Sequence, residues 1–148
     1  MDLNDYAEIS ALLSRYARGV DTKDWDLYRS VFTDDAVIDY SANGIPAGSR
    51  EEIVEFMRET FSAGVTMSMH YITNIEVDFG GGGGDAATVR AMFYNPTKLA
   101  WLDDLSFFGG YYHHDVVRTA DGWRSRRLRE DAAWSVNSPM KDQPSAAS

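Results

Sequence analysis

The sequence predicts an α+β fold in which helices cover one face of a curved, mainly antiparallel sheet. Three observations predict it. Apolar residues recur at three- and four-residue steps in three stretches of the first 61 residues, strand-like alternation takes over after Gly64, and the later strands follow one another as a meander. At 148 residues and 44% hydrophobic content, the chain has the size and apolar supply of one domain.

The first helix is expected over about residues 5–20, where Tyr6, Ile9, Leu13, Tyr16 and Val20 form one stripe and Asp5 with Glu8 makes a capping-box start. A shorter helix over about 24–32 carries Trp25, Tyr28, Val31 and Phe32 on its buried side. Asp34-Asp35 then breaks the pattern, and Ala36 to Tyr40 reads as a strand. Ser49 and Glu52 form a second capping box, and Ile53, Phe56, Met57 and Phe61 give the third helix its inner stripe.

From about 66 to 79, apolar Met67, Met69, Tyr71, Ile75 and Val77 interleave with Ser68, His70, Asn74, Glu76 and Asp78, which predicts one long strand with His70 in its first half. Gly80 to Gly84 with Asp85 forms a flexible hairpin tip. A pyrophosphate loop would need a helix to follow, and Ala87 to Tyr94 is strand-like instead. Strands over about 105–119 and 122–134, joined at Ala120-Asp121-Gly122, complete the sheet, and Gly109-Gly110 marks a bulge or sharp bend. The domain is placed at residues 1–137. The tail 138–148, with Pro139, Pro144 and small polar residues, is expected to be disordered.

Composition narrows the function classes. A formal net charge of -9 disfavours nucleic-acid and anionic-membrane partners, whose phosphates call for clustered Lys and Arg. The cluster Arg124, Arg126, Arg127 and Arg129 is the exception, and strand alternation assigns Arg124 and Arg126 to a solvated face. The absence of Cys excludes disulfides, thiolate nucleophiles and Cys-ligated zinc. The first residues lack the basic and apolar regions of a signal peptide, and no apolar run approaches the ~20 residues that span a bilayer, so a cytoplasmic protein is expected.

His113 and His114 are adjacent on a strand and point to opposite faces, which makes them a poor metal pair. No metal site and no cofactor are expected. A Gly-x-Ser-x-Gly elbow for serine catalysis is also missing. Four Trp, eight Tyr and seven Phe suit a lined cavity as well as a solid core.

Two residues carry the clearest chemistry. His70, on a strand among apolar and hydroxylic neighbours, reads either as a structural hydrogen-bonder or as a base. Asp21, in Gly19-Val20-Asp21-Thr22-Lys23-Asp24-Trp25, reads either as a cap of the second helix or as the partner of that histidine. Tyr40, Tyr94 and Tyr112, taken one by one, read as packing residues.

The stretches Arg15-Tyr16-Ala17, Val20 to Trp25, Phe32 to Tyr40, His70 to Asn74 and Gly109 to Arg118 together are similar to the SnoaL-like branch of the nuclear-transport-factor-2-like (NTF2-like, cystatin-like) superfamily. Within it they resemble the group that contains scytalone dehydratase and hexachlorocyclohexane dehydrochlorinase. The resemblance covers about residues 5–134 and implies a cone-shaped fold, with three N-terminal helices packed on a strongly curved sheet enclosing a pocket.

It also implies that Asp21 and His70 match the Asp-His dyad of those lyases, in which the imidazole removes a proton next to a leaving group. Tyr40 matches a substrate-polarising tyrosine, while Tyr112 and His114, sharing one strand face with Gly110, are implied to be polar groups of the pocket. A bulge at Gly109-Gly110 would bring in His113 instead. Tyr16 and Trp25 complete the implied substrate-binding set. Val20 stands where the dehydratase has a second tyrosine, and Tyr16 where the dehydrochlorinase has a lysine, so neither exact reaction carries over.

The resemblance thus implies a cofactor-independent, dehydratase-like lyase acting on a largely apolar polyketide, steroid-like or aromatic substrate. An isomerase or cyclase of the same fold, or a non-catalytic small-molecule-binding module, are its rivals. An open sheet with an apolar outer face implies a homo-oligomer, dimer or trimer.

Overall fold

The computed structural model describes residues 2–82 and 84–139. Helix α1 (Leu3–Asp21) begins one turn earlier than its apolar stripe suggests, because Asp2 caps it by accepting the Asn4 N–H. Asp5 is therefore no cap. Its carboxylate turns inward and accepts the Trp123 indole N–H and an Arg118 N–H, each at 2.9 Å, so the demand of a buried indole donor overrides the local capping signal.

Helix α2 (Trp25–Arg29) is shorter than its pattern, with Asp24 as its cap through the Leu27 N–H. A Cβ on Gly19 would stand 2.8 Å from the Tyr28 backbone nitrogen, so only glycine lets α2 fold back this closely on the end of α1. Phe32, expected in that helix, instead opens strand β1 (Phe32–Asp39). A two-residue edge strand, β2 (Gly48–Ser49), leads into α3 (Arg50–Phe56), whose Ser49/Glu52 capping box forms as the sequence predicts. The helical path continues through a wide π turn (Met57–Phe61) and a last turn, α4 (Ser62–Gly64).

The single strand expected over 66–79 is two strands, β3 (Val65–Ser68) and β4 (Tyr71–Asp78), with Met69 and His70 in the break. Three long strands follow: β5 (Ala86–Leu99), β6 (Ser106–Thr119) and β7 (Gly122–Val136). The sheet order is β2-β1-β7-β6-β5-β3, with β4 also paired to β5. All pairings are antiparallel except β1 with β7.

Two irregularities in the β6–β7 ladder bend the sheet. Register runs from Gly109↔Trp134 to Gly110↔Ala132, skipping Ala133, and from Asp115↔Arg127 to Val116↔Ser125, skipping Arg126. The expected bend at Gly109-Gly110 is present, and the extra residue sits on β7. A Cβ on Gly110 would come within 2.0 Å of the Asp131 carbonyl oxygen, so the strands cross where a side chain cannot fit.

The concave face closes over α1, α2 and α3 around a core that includes Ile9, Leu12, Leu13, Ile38, Trp123 and Leu128. This is the α+β, strongly curled half-barrel that the pattern predicts. On the outer face Tyr94 packs against Tyr71, Phe107 and Trp134, with Met69 and Met92 also exposed nearby in sequence register. Ser138 is buried and Pro139 lines the cavity described below, while the rest of the tail expected to be disordered, 140–148, lies outside the described residues. Among the described residues no helix is long and apolar enough to cross a membrane.

Candidate active site

The structure brings Asp21 and His70 together. Asp21 closes α1, His70 occupies the β3–β4 break, and the carboxylate grips the histidine twice. Its Oδ1 lies 2.6 Å from ring Nδ1, and its Oδ2 accepts the His70 main-chain N–H at 2.8 Å. A carboxylate can only accept here, so in the neutral imidazole Nδ1–H donates and Nε2 keeps its lone pair.

The strand break makes this possible, because the His70 main-chain N–H is released from the sheet ladder and taken up by Asp21. Neighbours fix the loop. Asn95 on β5 donates to the Ser68 hydroxyl at 3.0 Å and to the Met69 carbonyl at 3.1 Å, while Thr97 donates to the Asn95 side-chain oxygen. The His70 side chain is nearly buried, and no hydrogen bond occupies Nε2 among the described residues.

His70 lines a cavity of about 330 Å³ between the helices and the concave sheet. Its walls are largely apolar, with Phe61, Val65, Phe93, Leu99, Trp101 and Phe108 among them. The π turn places both Met57 and Phe61 at the wall, a use of the extra residue that fits the frequent occurrence of such turns at ligand sites. The volume lies at the small end of the ~300–1,000 Å³ usual for ligand pockets.

Hydroxyls and one carboxyl furnish the polar part. Tyr40, just past the end of β1, has its oxygen 2.7 Å from that of Tyr16 and 2.9 Å from that of Tyr28, a chain of three buried hydroxyls. Burial pushes all three well above the ordinary tyrosine range, and Tyr112 likewise, so each stays a neutral donor. Tyr16, Tyr40 and Tyr112 line the cavity; Tyr28 backs the chain from behind. The Tyr16 ring also stands edge-on to His70, centroids 6.4 Å apart.

Glu130 is the one carboxyl among the described residues lining the cavity, and the sequence reading missed it. It faces Tyr112 directly across the β6–β7 ladder and accepts a hydrogen bond from the Asn43 side-chain amide. Burial pushes its carboxyl up to about 7, against the pull of the Tyr112 hydroxyl and the Asn43 amide. The available signal was alternation from Leu128, which places Glu130 on the inner face. Arg126, Arg127 and Arg129 around it mask that signal.

Two expected pocket residues lie elsewhere. Tyr112 and His114 do share the inner face, since the extra residue at the bend belongs to β7 and leaves the β5–β6 register unbroken. His114, however, sits one step deeper, behind Tyr16 and Tyr112, and is absent from the cavity wall. Its Nδ1 donates to the Ser125 hydroxyl at 2.9 Å, because that hydroxyl gives its own proton to the Arg127 carbonyl. Nε2 has no hydrogen-bond partner among the described residues, and burial pulls the imidazole down to about 3.

His113 faces outward and pairs with Asp131. Trp25 is packed one layer behind the wall, edge-on to Phe61, with its indole N–H on the Ser62 hydroxyl. All four arginines of the 124–129 run lie off the concave face, because the residue skipped at Arg126 restores Leu128 and Glu130 to the inside. Among the described residues no three His, Asp or Glu side chains cluster as metal ligands would.

Comparison with known proteins agrees with this architecture. A model of the SnoaL-like domain matches residues 1–129. The uncharacterized proteins Rv2910c of Mycobacterium tuberculosis and Mb2934c of Mycobacterium bovis are each 33% identical over 130 residues, covering 87% of this chain and 86% of theirs. The crystal structure of Kfla4162 from Kribbella flavida superposes with a TM-score of 0.80 at 31% identity, covering 90% of this chain and 94% of that one.

Two further structures share the fold at lower identity. A protein from Novosphingobium aromaticivorans named for scytalone dehydratase gives a TM-score of 0.83 at 18% identity, with 92% and 89% of the chains covered. The hexachlorocyclohexane dehydrochlorinase LinA-type3 of Novosphingobium barchaimii gives 0.80 at 19% identity, with 90% of each covered. With its sequence matched over most of its length and its half-barrel reproduced in these structures, the chain belongs to the SnoaL-like family.

Proposed function

We propose that this protein is a cofactor-independent lyase of the dehydratase type, with Asp21 and His70 as its catalytic dyad. The observation that carries the reading is the double grip of Asp21 on His70, which leaves Nε2 as an oriented base in the wall of an apolar cavity. His70 Nε2 takes a proton from carbon α to a carbonyl or β to a leaving group, and Asp21 stabilises the imidazolium that forms. Tyr16, Tyr40 and Tyr112 bind substrate oxygen. Trp25 and His114 support the walls from behind and take no direct part.

The small volume and apolar walls favour aromatic or polyketide-derived ring compounds over a full steroid skeleton. The buried hydroxyl chain favours one second reading, isomerisation or cyclisation, since it is placed to hold an enolate whether or not a group departs. Product mass separates the two: loss of water or halide marks a lyase, and unchanged mass an isomerase or cyclase. We further assign the outer aromatic face around Tyr94 to contact with a second copy of the chain, because a ladder of exposed Tyr, Trp and Met is out of keeping with a chain carrying -9 overall.

The test of the dyad uses 5-nitrobenzisoxazole, a small apolar compound that opens to a coloured phenolate when a base removes its ring proton. Wild type is expected to exceed His70→Ala by about 10² to 10⁴ in rate. Equal rates in the two proteins would sink the base assignment.

A further inference from the structure

Glu130 poses a problem that packing does not solve. It is buried on the inner face of β7, beside the cavity, and its surroundings from every element are neutral donors: Tyr112 on β6, Asn43 in the turn after β1, Tyr16 on α1, Tyr28 on α2 and Tyr40 at the end of β1. Asp131, next in the chain, adds a like charge, and no lysine or arginine forms an ion pair with Glu130 among the described residues. A glutamine would accept from Asn43 equally well and carry no ionisation cost. An ionisable group is retained where an amide would pack, and it borders the same cavity as His70.

We propose that Glu130 is the acid of this pocket, giving its proton to the departing oxygen of a β-hydroxy carbonyl substrate while His70 takes the proton from the α-carbon. This rests on the dyad reading above and names the substrate class for it. The step balances within the chain. His70 Nε2 accepts the C–H proton, those electrons form the C=C bond, the C–O bond breaks, and the Glu130 proton converts the leaving hydroxyl to water. Glu130 is left as carboxylate and His70 as imidazolium, and a proton passed from one to the other through solvent or the product water resets the site.

The near-neutral balance of Glu130 suits the task, because an acid that holds its proton weakly at working pH also transfers it readily. The Tyr28–Tyr40–Tyr16 chain supports it by keeping the cavity floor supplied with donors and free of cations. Asn43 and Tyr112 orient the carboxyl.

The experiment compares wild type, Glu130→Gln and His70→Ala on a series of benzisoxazoles whose product phenols differ in acidity. The glutamine keeps the Asn43 contact and cannot transfer a proton. In wild type the rate is expected to depend weakly on leaving-group acidity. In Glu130→Gln the dependence steepens, with about a 10² loss on the least acidic leaving group and a smaller loss on the nitro compound. A Glu130→Gln series parallel to wild type, with the His70-dependent rate intact, overturns the proposal and leaves the dyad standing.

If no member of the series shows a His70-dependent rate, the dyad reading fails, and a binding measurement decides Glu130 separately. The probe is 2,4-dinitrophenolate, which stays anionic between about pH 5 and 9, titrated into His70→Ala and into the double variant His70→Ala/Glu130→Gln. Affinity for His70→Ala should fall at least tenfold as pH rises through about 7, when the carboxyl becomes negative, and should stay flat in the double variant. Flat affinity in both overturns the assignment of Glu130 as the proton-bearing group.

Discussion

Asp21 and His70 are joined through both the ring and the main chain of the histidine, so one carboxylate fixes the tautomer and the position of the imidazole at once. Asp21→Asn keeps an acceptor for the main-chain N–H but presents an amide N–H to ring Nδ1, which favours the tautomer with the proton on Nε2. The expected result is a loss of about 10² to 10⁴ in kcat with KM nearly unchanged, measured on 5-nitrobenzisoxazole. A proportional rise in KM with kcat retained would show that Asp21 shapes binding instead.

Glu130 and His114 give stability opposite pH slopes. The Glu130 carboxyl is raised to about 7, so its contribution is full below the unfolded value of about 4.5 and is lost as pH climbs through about 7. Urea denaturation should show wild type losing up to a few kcal/mol across that window, and Glu130→Gln losing much less.

The His114 imidazole is lowered to about 3, so its contribution is full above the unfolded value of about 6.5 and drains away as pH falls toward 3. His114→Leu removes both that slope and an unpartnered buried nitrogen. The acid limb of its denaturation profile should flatten while activity near neutral pH persists. An unchanged acid limb would count against a buried neutral imidazole.

At Gly19 the contact with the Tyr28 backbone leaves no room for a methyl group. Gly19→Ala forces α2 away from α1 despite the better helix propensity of alanine, for a net cost of about 1–3 kcal/mol by thermal or chemical denaturation. Because Tyr28 ends the hydroxyl chain through Tyr40, binding of phenols should weaken in the same variant.

The outer face supplies a quaternary prediction. Tyr94→Glu puts a charge at the centre of the stack formed by Tyr71, Phe107 and Trp134. Analytical ultracentrifugation should show wild type as an oligomer and the variant as a monomer. A monomeric wild type would remove the assignment.

Sequence periodicity made much of this molecule legible. The stripes of the first and third helices, the Ser49/Glu52 box, the Gly109-Gly110 bend and the face shared by Tyr112 and His114 are local signals that reappear in the fold, while the inward direction of that face came from the family resemblance. Parity gives a face but no depth, which is why His114 could be placed inside yet not behind Tyr112. Trp25 illustrates the same limit on a helix: a buried stripe does not tell a cavity wall from the layer beneath it. The β3–β4 break was hidden because Met69 and His70 continue the alternation in sequence while a hydrogen bond from α1 ends it in space. Glu130 was hidden by the residue skipped at Arg126, a single irregularity that reverses which side of β7 its neighbours occupy.

The π turn at Met57–Phe61 carries a consequence for how the chamber can change size. Such a turn is a helix with one residue inserted, so deleting Thr60 would restore ordinary pitch and swing Phe61 by about 100° around the axis. One codon lost at this place would open the roof without touching Asp21, His70 or Glu130, and relatives with shorter segments here should accept bulkier compounds.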